Sequence, residues 1–154
     1  MSWIKPNFLW MMYRCGWATK ENQEVVLAVR IRREGFDEIL CHAVSSTFAP
    51  DAYSSRAAWQ EELPVSDVRL PWDPDHDPHG RQLPRRAIQL GLRGDTLNRY
   101  GGPWIVSIED ISDFVRGQHV VLKREGPNAL MTPKEDIYPV EDPQTQQRLG
   151  MTLP

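Results

Sequence analysis

Two prolines four residues apart, Pro74 and Pro78, most constrain how this chain can fold. Each fixes φ and lacks a backbone N–H, so neither suits the interior of a regular ladder. Each also pushes the residue before it, Asp73 and Asp77, towards extended geometry. The stretch Trp72–Gly80 reads Trp-Asp-Pro-Asp-His-Asp-Pro-His-Gly, and it is expected to lie outside helix and sheet. In an extended run alternate side chains share a face, so Asp73, Asp75 and Asp77 would point the same way.

That loop is also the chief candidate for chemistry. Three carboxylates on one side form the oxygen-rich cluster that hard cations prefer, which makes Asp73, Asp75 and Asp77 candidate ligands for a divalent metal. His76 and His79 titrate near neutrality and are candidate general acids or bases, with Asp75 orienting them. The calcium-loop template fails, because Pro78 stands where it needs Gly and Pro84 where it needs Glu. Zinc spacings of the His-x-x-x-His or Cys-x-x-Cys type do not occur. An ordinary solvated loop has the same Asp/Pro/Gly composition.

The chain after the loop, Arg85–Arg93, reads as an apolar strand with arginines at both ends. Gly91 would permit close backbone approach. Arg85, Arg86 and Arg93 are candidate ligand-binding residues, since guanidinium forks match phosphate bidentately. Lys5 and Arg14 flank the first helix and would add positive potential.

Upstream, Pro6 opens a strongly apolar helix of Phe8, Leu9, Met12 and Cys15, and Gly16 ends it. Glu24–Arg32 is the clearest strand, β-branched and continuous enough to be covered on both faces at its start, with Arg30 and Arg32 outward near its end. Glu34–Val44 is an amphipathic helix. Ser55 caps a helix over Arg56–Leu63, which Pro64 stops. Val68–Trp72 is a strand candidate. Downstream come a short helix over Thr96–Tyr100, a strand over Trp104–Ile108 and a helix over Ile111–Lys123 with Phe114, Val115, Gln118 and Leu122 inward. Ala129–Thr132 and Ile137–Val140 read as short strands. The pattern predicts an α+β fold: one domain over residues 1–140, a mixed or mainly antiparallel sheet flanked by helices, then a loose polar tail over 141–154.

A chain of 154 residues fits one domain. Its longest apolar run, Phe8–Tyr13, is too short to span a bilayer. The start lacks a secretory pattern, so a cytoplasmic location and no membrane partner are expected. Cys15 and Cys41 fall at apolar helix positions and are expected in the core. The net charge of −3 is uneven, with a basic start and an acidic stretch over residues 34–64. No segment has the basic density of a nucleic-acid binder. Neither glycine-rich phosphate loop nor nucleophile elbow is present.

Two functions follow. One is an enzyme or former enzyme acting on a phosphate-bearing ligand, a nucleotide or nucleic-acid end, through the Asp/His loop and the arginines. An ADP-ribosyl-transfer variant would make Glu109 the carboxylate to examine. The other is a non-catalytic binding or protein-interaction domain, suited to six tryptophans.

Three phrases together, Trp3-Ile4-Lys5-Pro6-Asn7-Phe8-Leu9-Trp10-Met11-Met12-Tyr13-Arg14, Trp72–Pro78 and Arg86–Arg93, resemble the domain-of-unknown-function family numbered 4291. The resemblance spans most of residues 2–140. It implies a compact intracellular α+β protein and brings neither an activity nor catalytic residues. Such domains carry a further N-terminal segment with a strand of Val-Tyr-Gln-Ala-Tyr type before the Trp-Ile-Lys-Pro phrase. The chain is therefore expected to be a shortened member or a chain with a late start, either of which would leave a sheet edge exposed. Asn7 and Cys15 stand where the family pattern has serine.

Overall fold

A computed structural model describes residues 1–151. The main sheet has four strands in the order β1 (Ser2–Ile4), β7 (Leu90–Leu92), β4 (Val68–Leu70), β3 (Ala43–Ser45). Strands β3 and β4 run parallel; the other pairs are antiparallel. Two ribbons complete the strands: β2 (Leu27–Ile31) with β8 (Ile105–Asp110), and β5 (Trp72–His76) with β6 (Gln82–Ile88). The helices are α1 (Phe8–Cys15), α2 (Arg33–Cys41), α3 (Arg56–Val65), α4 (Gly94–Tyr100), α5 (Ser112–Glu125) and α6 (Pro143–Arg148). The fold is α+β with a mainly antiparallel sheet, as the pattern predicts.

Two apolar clusters hold it together. Ile39 and Leu40 of α2 pack with Val68, Leu70, Leu90 and Leu92 of the sheet, and with Trp104 and Leu149. The second cluster joins Met12 and Cys15 of α1 to Val115 and Leu122 of α5, with Trp17 and Val26. Burying such side chains is the main stabilising force. Gly35 lets α2 sit against Trp104, where a Cβ would fall 2.5 Å from the indole. Gly91 carries Trp3 and Met1 directly over the sheet; an added Cβ would fall 2.5 Å from the Met1 sulfur.

Local signals fix several boundaries. Asn7 caps α1 by accepting from Trp10 N at 2.8 Å, and Gly16 ends it in the left-handed conformation at φ 59°. Ser55 caps α3 by accepting from Ala58 N. Asp110 accepts from Ser112 N at 2.9 Å at the start of α5.

Several expectations are corrected. Trp72–His76 is a strand, not a loop outside the sheet. A two-stranded ribbon leaves one edge of each strand unpaired, and proline is tolerated there. The expected strand Arg85–Arg93 is two, because the chain leaves the ribbon at Gln89 to join the main sheet. The strand expected to be covered on both faces is an exposed ribbon member, with Leu27 52% accessible. The amphipathic helix stops at Cys41, and Ala43–Ser45 form the buried strand β3. Pro64 sits inside the last turn of α3 instead of stopping it. Phe114 is 39% exposed, not inward. Cys41 is exposed, whereas Cys15 is buried as expected. Ala129–Thr132 and Ile137–Val140 form no strands.

The tail expected to be loose over 141–154 is docked across its described part, 141–151. Leu149 is 1% exposed in the main core. Its carbonyl accepts from Trp72 Nε1 at 2.7 Å. Arg148 donates to the Leu40 and Cys41 carbonyls that end α2, where a cation also suits the helix dipole. One leucine and these carbonyl contacts anchor an otherwise polar segment, which composition averages hide.

Candidate functional site

The β5–β6 hairpin places the Asp/His stretch. Its turn is tied by Asp77. The Asp77 carboxylate accepts from His79 N and Arg81 N, both at 2.9 Å, and from Arg81 Nε at 2.7 Å. The backbone N–H of Arg81 leads the causes that hold the Asp77 carboxyl below its usual range. Gly80 turns back at φ 81°, with the Tyr13 ring 3.2 Å from where a Cβ would stand. The strand register shifts between Pro74 and His76. Such a bulge breaks alternation, and both Asp75 and His76 are buried.

Asp75 is fully buried and meets Arg85, whose Nε donates to Oδ2 at 2.8 Å and whose Nη2 donates to the same oxygen. The other oxygen accepts from His76 N at 2.8 Å. His76 lies with its ring 3.8 Å from Tyr13 and 5.0 Å from Trp10, nearly parallel to both. Its Nδ1 has no hydrogen-bond partner among the described residues. The imidazole backs the Tyr13 ring.

A cleft of about 440 Å3 opens beside this hairpin, between the end of α1, the turn and the second half of α5. Its walls include Tyr13, Trp17, Asp77, His79, His119 and Lys123. His119 stacks on Trp17, ring centres 5.9 Å apart. Burial, and then the neighbouring Lys123 ammonium, lower the His119 pKa. Lys20 places its ammonium 5.9 Å from the Tyr13 ring. The cleft thus joins two imidazoles, one ammonium and aromatic walls.

The residues singled out from sequence divide. His79 and Asp77 reach the cleft, Asp77 as the tie of the turn. His76 stands behind Tyr13. Asp73 accepts from Gln89 Nε2 at 2.9 Å, away from Asp75 and Asp77 in role and partner. The bulge and the turn thus give the three carboxylates separate partners. Among the described residues no group of three or more His, Cys, Asp or Glu is arranged to hold a metal ion.

The arginines do not converge either. Arg85 pairs with Asp75. Arg86 lies 4.4 Å from the Trp72 ring and donates to the Gly150 carbonyl. Arg93 donates to the Ser66 and Pro64 carbonyls at the end of α3. Lys5 is half-buried; burial and then Arg14 lower its pKa, while Asp73 raises it. Glu109 is exposed on β8. The hollow shared by the Asp/His loop and the arginines is replaced by one in which α5 supplies the cation. His119 and Lys123 went unnoticed in the sequence. Their four-residue spacing puts them on one helix face, but nothing local tells that this face meets a hairpin turn some forty residues upstream.

Fold and site define a small α+β protein with a mainly apolar, aromatic-walled cleft that also holds His79, His119 and Lys123. The chain belongs to the family described as Domain of unknown function (DUF4291), whose model matches residues 1–138. No curated protein and no solved structure matches it. All residues of the cleft fall within the matched span, and α6 lies beyond it. Among the described residues no helix is long and apolar enough to cross a membrane.

Proposed function

We propose that the protein takes a small phosphate-bearing ligand, of the nucleotide class, in the cleft between α1, α5 and the hairpin turn. One observation supports this above the rest: His79, His119 and Lys123 line a single cleft with Tyr13 and Trp17. An ammonium pairs with phosphate oxygens, and imidazole N–H groups donate to them. Aromatic faces accept a planar base by stacking. In the catalytic form of the proposal, His79 is the general acid or base, because an imidazole can carry a proton on either ring nitrogen and pass it to a bound group. The cationic role assigned from sequence to Arg85, Arg86 and Arg93 passes to Lys123, with His119 beside it.

A non-catalytic binding module is favoured by a different observation. Asp75 is held in its pair with Arg85 and Asp77 in the turn, so neither carboxylate is free to orient an imidazole as a catalytic dyad needs.

The test is a thermal-shift series with inorganic phosphate, pyrophosphate and ATP. The expected result is a rise in melting temperature, greatest with ATP, that Lys123→Ala removes. A ligand at a hundredfold excess over its dissociation constant stabilises by about 2.7 kcal/mol. No rise with any of the three, or a rise untouched by Lys123→Ala, refutes the site. Turnover that survives His79→Ala, with binding intact, refutes only the catalytic form.

A further inference from the structure

The charges in the cleft are not matched. The hairpin turn brings Asp77 and His79, α1 brings Tyr13, and α5 brings His119 and Lys123. Lys20, just after α1, holds its ammonium 5.9 Å from the Tyr13 ring. Arg116, one turn back along α5, is turned to Asp113 and the Glu24 carbonyl. Asp77 is the one carboxylate lining the cleft among the described residues, and it is committed to the turn. Its oxygens accept from His79 N, Arg81 N and Arg81 Nε. Lys123 makes no ion pair among the described residues.

His119 therefore has a cation beside it and no free anion. It precedes Lys123 by one helical turn, on the same face. Its ring lies nearly parallel to Trp17, centres 5.9 Å apart. Apolar cover and a like charge both disfavour a second positive charge. Both lower the His119 pKa, burial first and then Lys123. The surroundings of the ring lack a negative partner, and a phosphate seated against Lys123 supplies one.

We propose that His119 takes up a proton when an anionic ligand enters the cleft, so that phosphate is held by Lys123 and a charged His119 together. The proposal rests on the ligand site described above and adds how pH controls it. The proton comes from solvent and returns there when the ligand leaves. An anion that favours the charged ring raises its midpoint, and by reciprocity the charged ring tightens binding. Affinity is then highest below the free-state midpoint of His119. It falls as pH rises towards the bound-state midpoint, by up to about tenfold per pH unit for one linked proton.

The experiment is an NMR titration of the imidazoles in the full chain, free and with saturating ATP. The His119 midpoint is expected to rise by about 1 pH unit or more in the complex. His42, exposed at the end of α2 and outside the cleft, is expected to stay where it is. Calorimetry in two buffers of different ionisation enthalpy supplies the second reading. It is run at about pH 7.5, where a terminal phosphate with a second pKa of about 6 is already ionised. Net proton uptake is expected on ATP binding, and less of it with His119→Gln. The wild-type titration decides even if that variant does not fold. ATP binding with an unmoved His119 midpoint overturns the proposal and leaves the ligand site standing, as does uptake that His119→Gln leaves unchanged. No binding heat and no ATP-induced change at any imidazole refutes the ligand site, and the proton coupling with it.

Discussion

Replacing Leu149 by Ala tests whether the C-terminal segment belongs to the core. Leu149 is 1% exposed and packs in the cluster of Ile39, Leu40, Val68, Leu70, Leu90, Leu92 and Trp104. Truncation removes buried apolar surface and leaves a cavity, which costs about 2–5 kcal/mol in well-packed cores. The segment is near a chain end and can relax into part of the space, so the lower half, about 2–3 kcal/mol, is expected. The Trp72 Nε1 bond to the Leu149 carbonyl uses backbone only, so the variant isolates the side chain. The assay is equilibrium urea unfolding followed by tryptophan fluorescence. The midpoint should fall with an unchanged slope, since the surface exposed on unfolding hardly alters. In a thermal melt the same loss corresponds to about 4–12 °C for a chain of this size. A loss below about 1 kcal/mol would show that the segment leaves the core in solution, as its polar composition suggests.

Arg85→Ala should cost more than Arg81→Ala in urea unfolding. The first leaves the fully buried Asp75 carboxylate without its cation, which costs up to about 3–5 kcal/mol for a fully buried pair and less here because Arg85 is largely exposed; equal losses would refute that role. Asp77 has a folded pKa below its unfolded value, so its contribution is present above the unfolded pKa and lost as pH falls through the folded one. Asp77→Asn should therefore flatten the decline of stability below about pH 4, and an unchanged acid limb would count against the tied turn. His119 has a lowered pKa from burial and Lys123, so folding favours its neutral form, and that contribution is present above the unfolded value, about 6.5, and lost as pH falls through the lower folded one. In an NMR titration Lys123→Ala should move the His119 midpoint upward; no movement would place the ammonium away from the ring.

The short-range signals were legible. Gly16 ends α1, Ser55 caps α3, and the α5 stripe of Val115, Gln118 and Leu122 faces inward. Each depends on contacts within a few residues. His79 was legible as a site candidate because its type and its proline-flanked setting are local. The carboxylate spacing misled, since one bulge at Asp75 undoes the alternation on which the shared face relied.

The sequence by itself determined the α+β class, most element positions and the family, because periodicity and caps are set by near neighbours along the chain. The tertiary structure alone decided that Leu27 and Ile108 lie exposed on a two-stranded ribbon instead of a covered strand, that Leu149 is core, and that His79, His119 and Lys123 line one cleft. An apolar residue carries no mark of which surface will cover it, and a charge none of which residue it will face. Both are fixed only when segments far apart in the chain compete for the same partners.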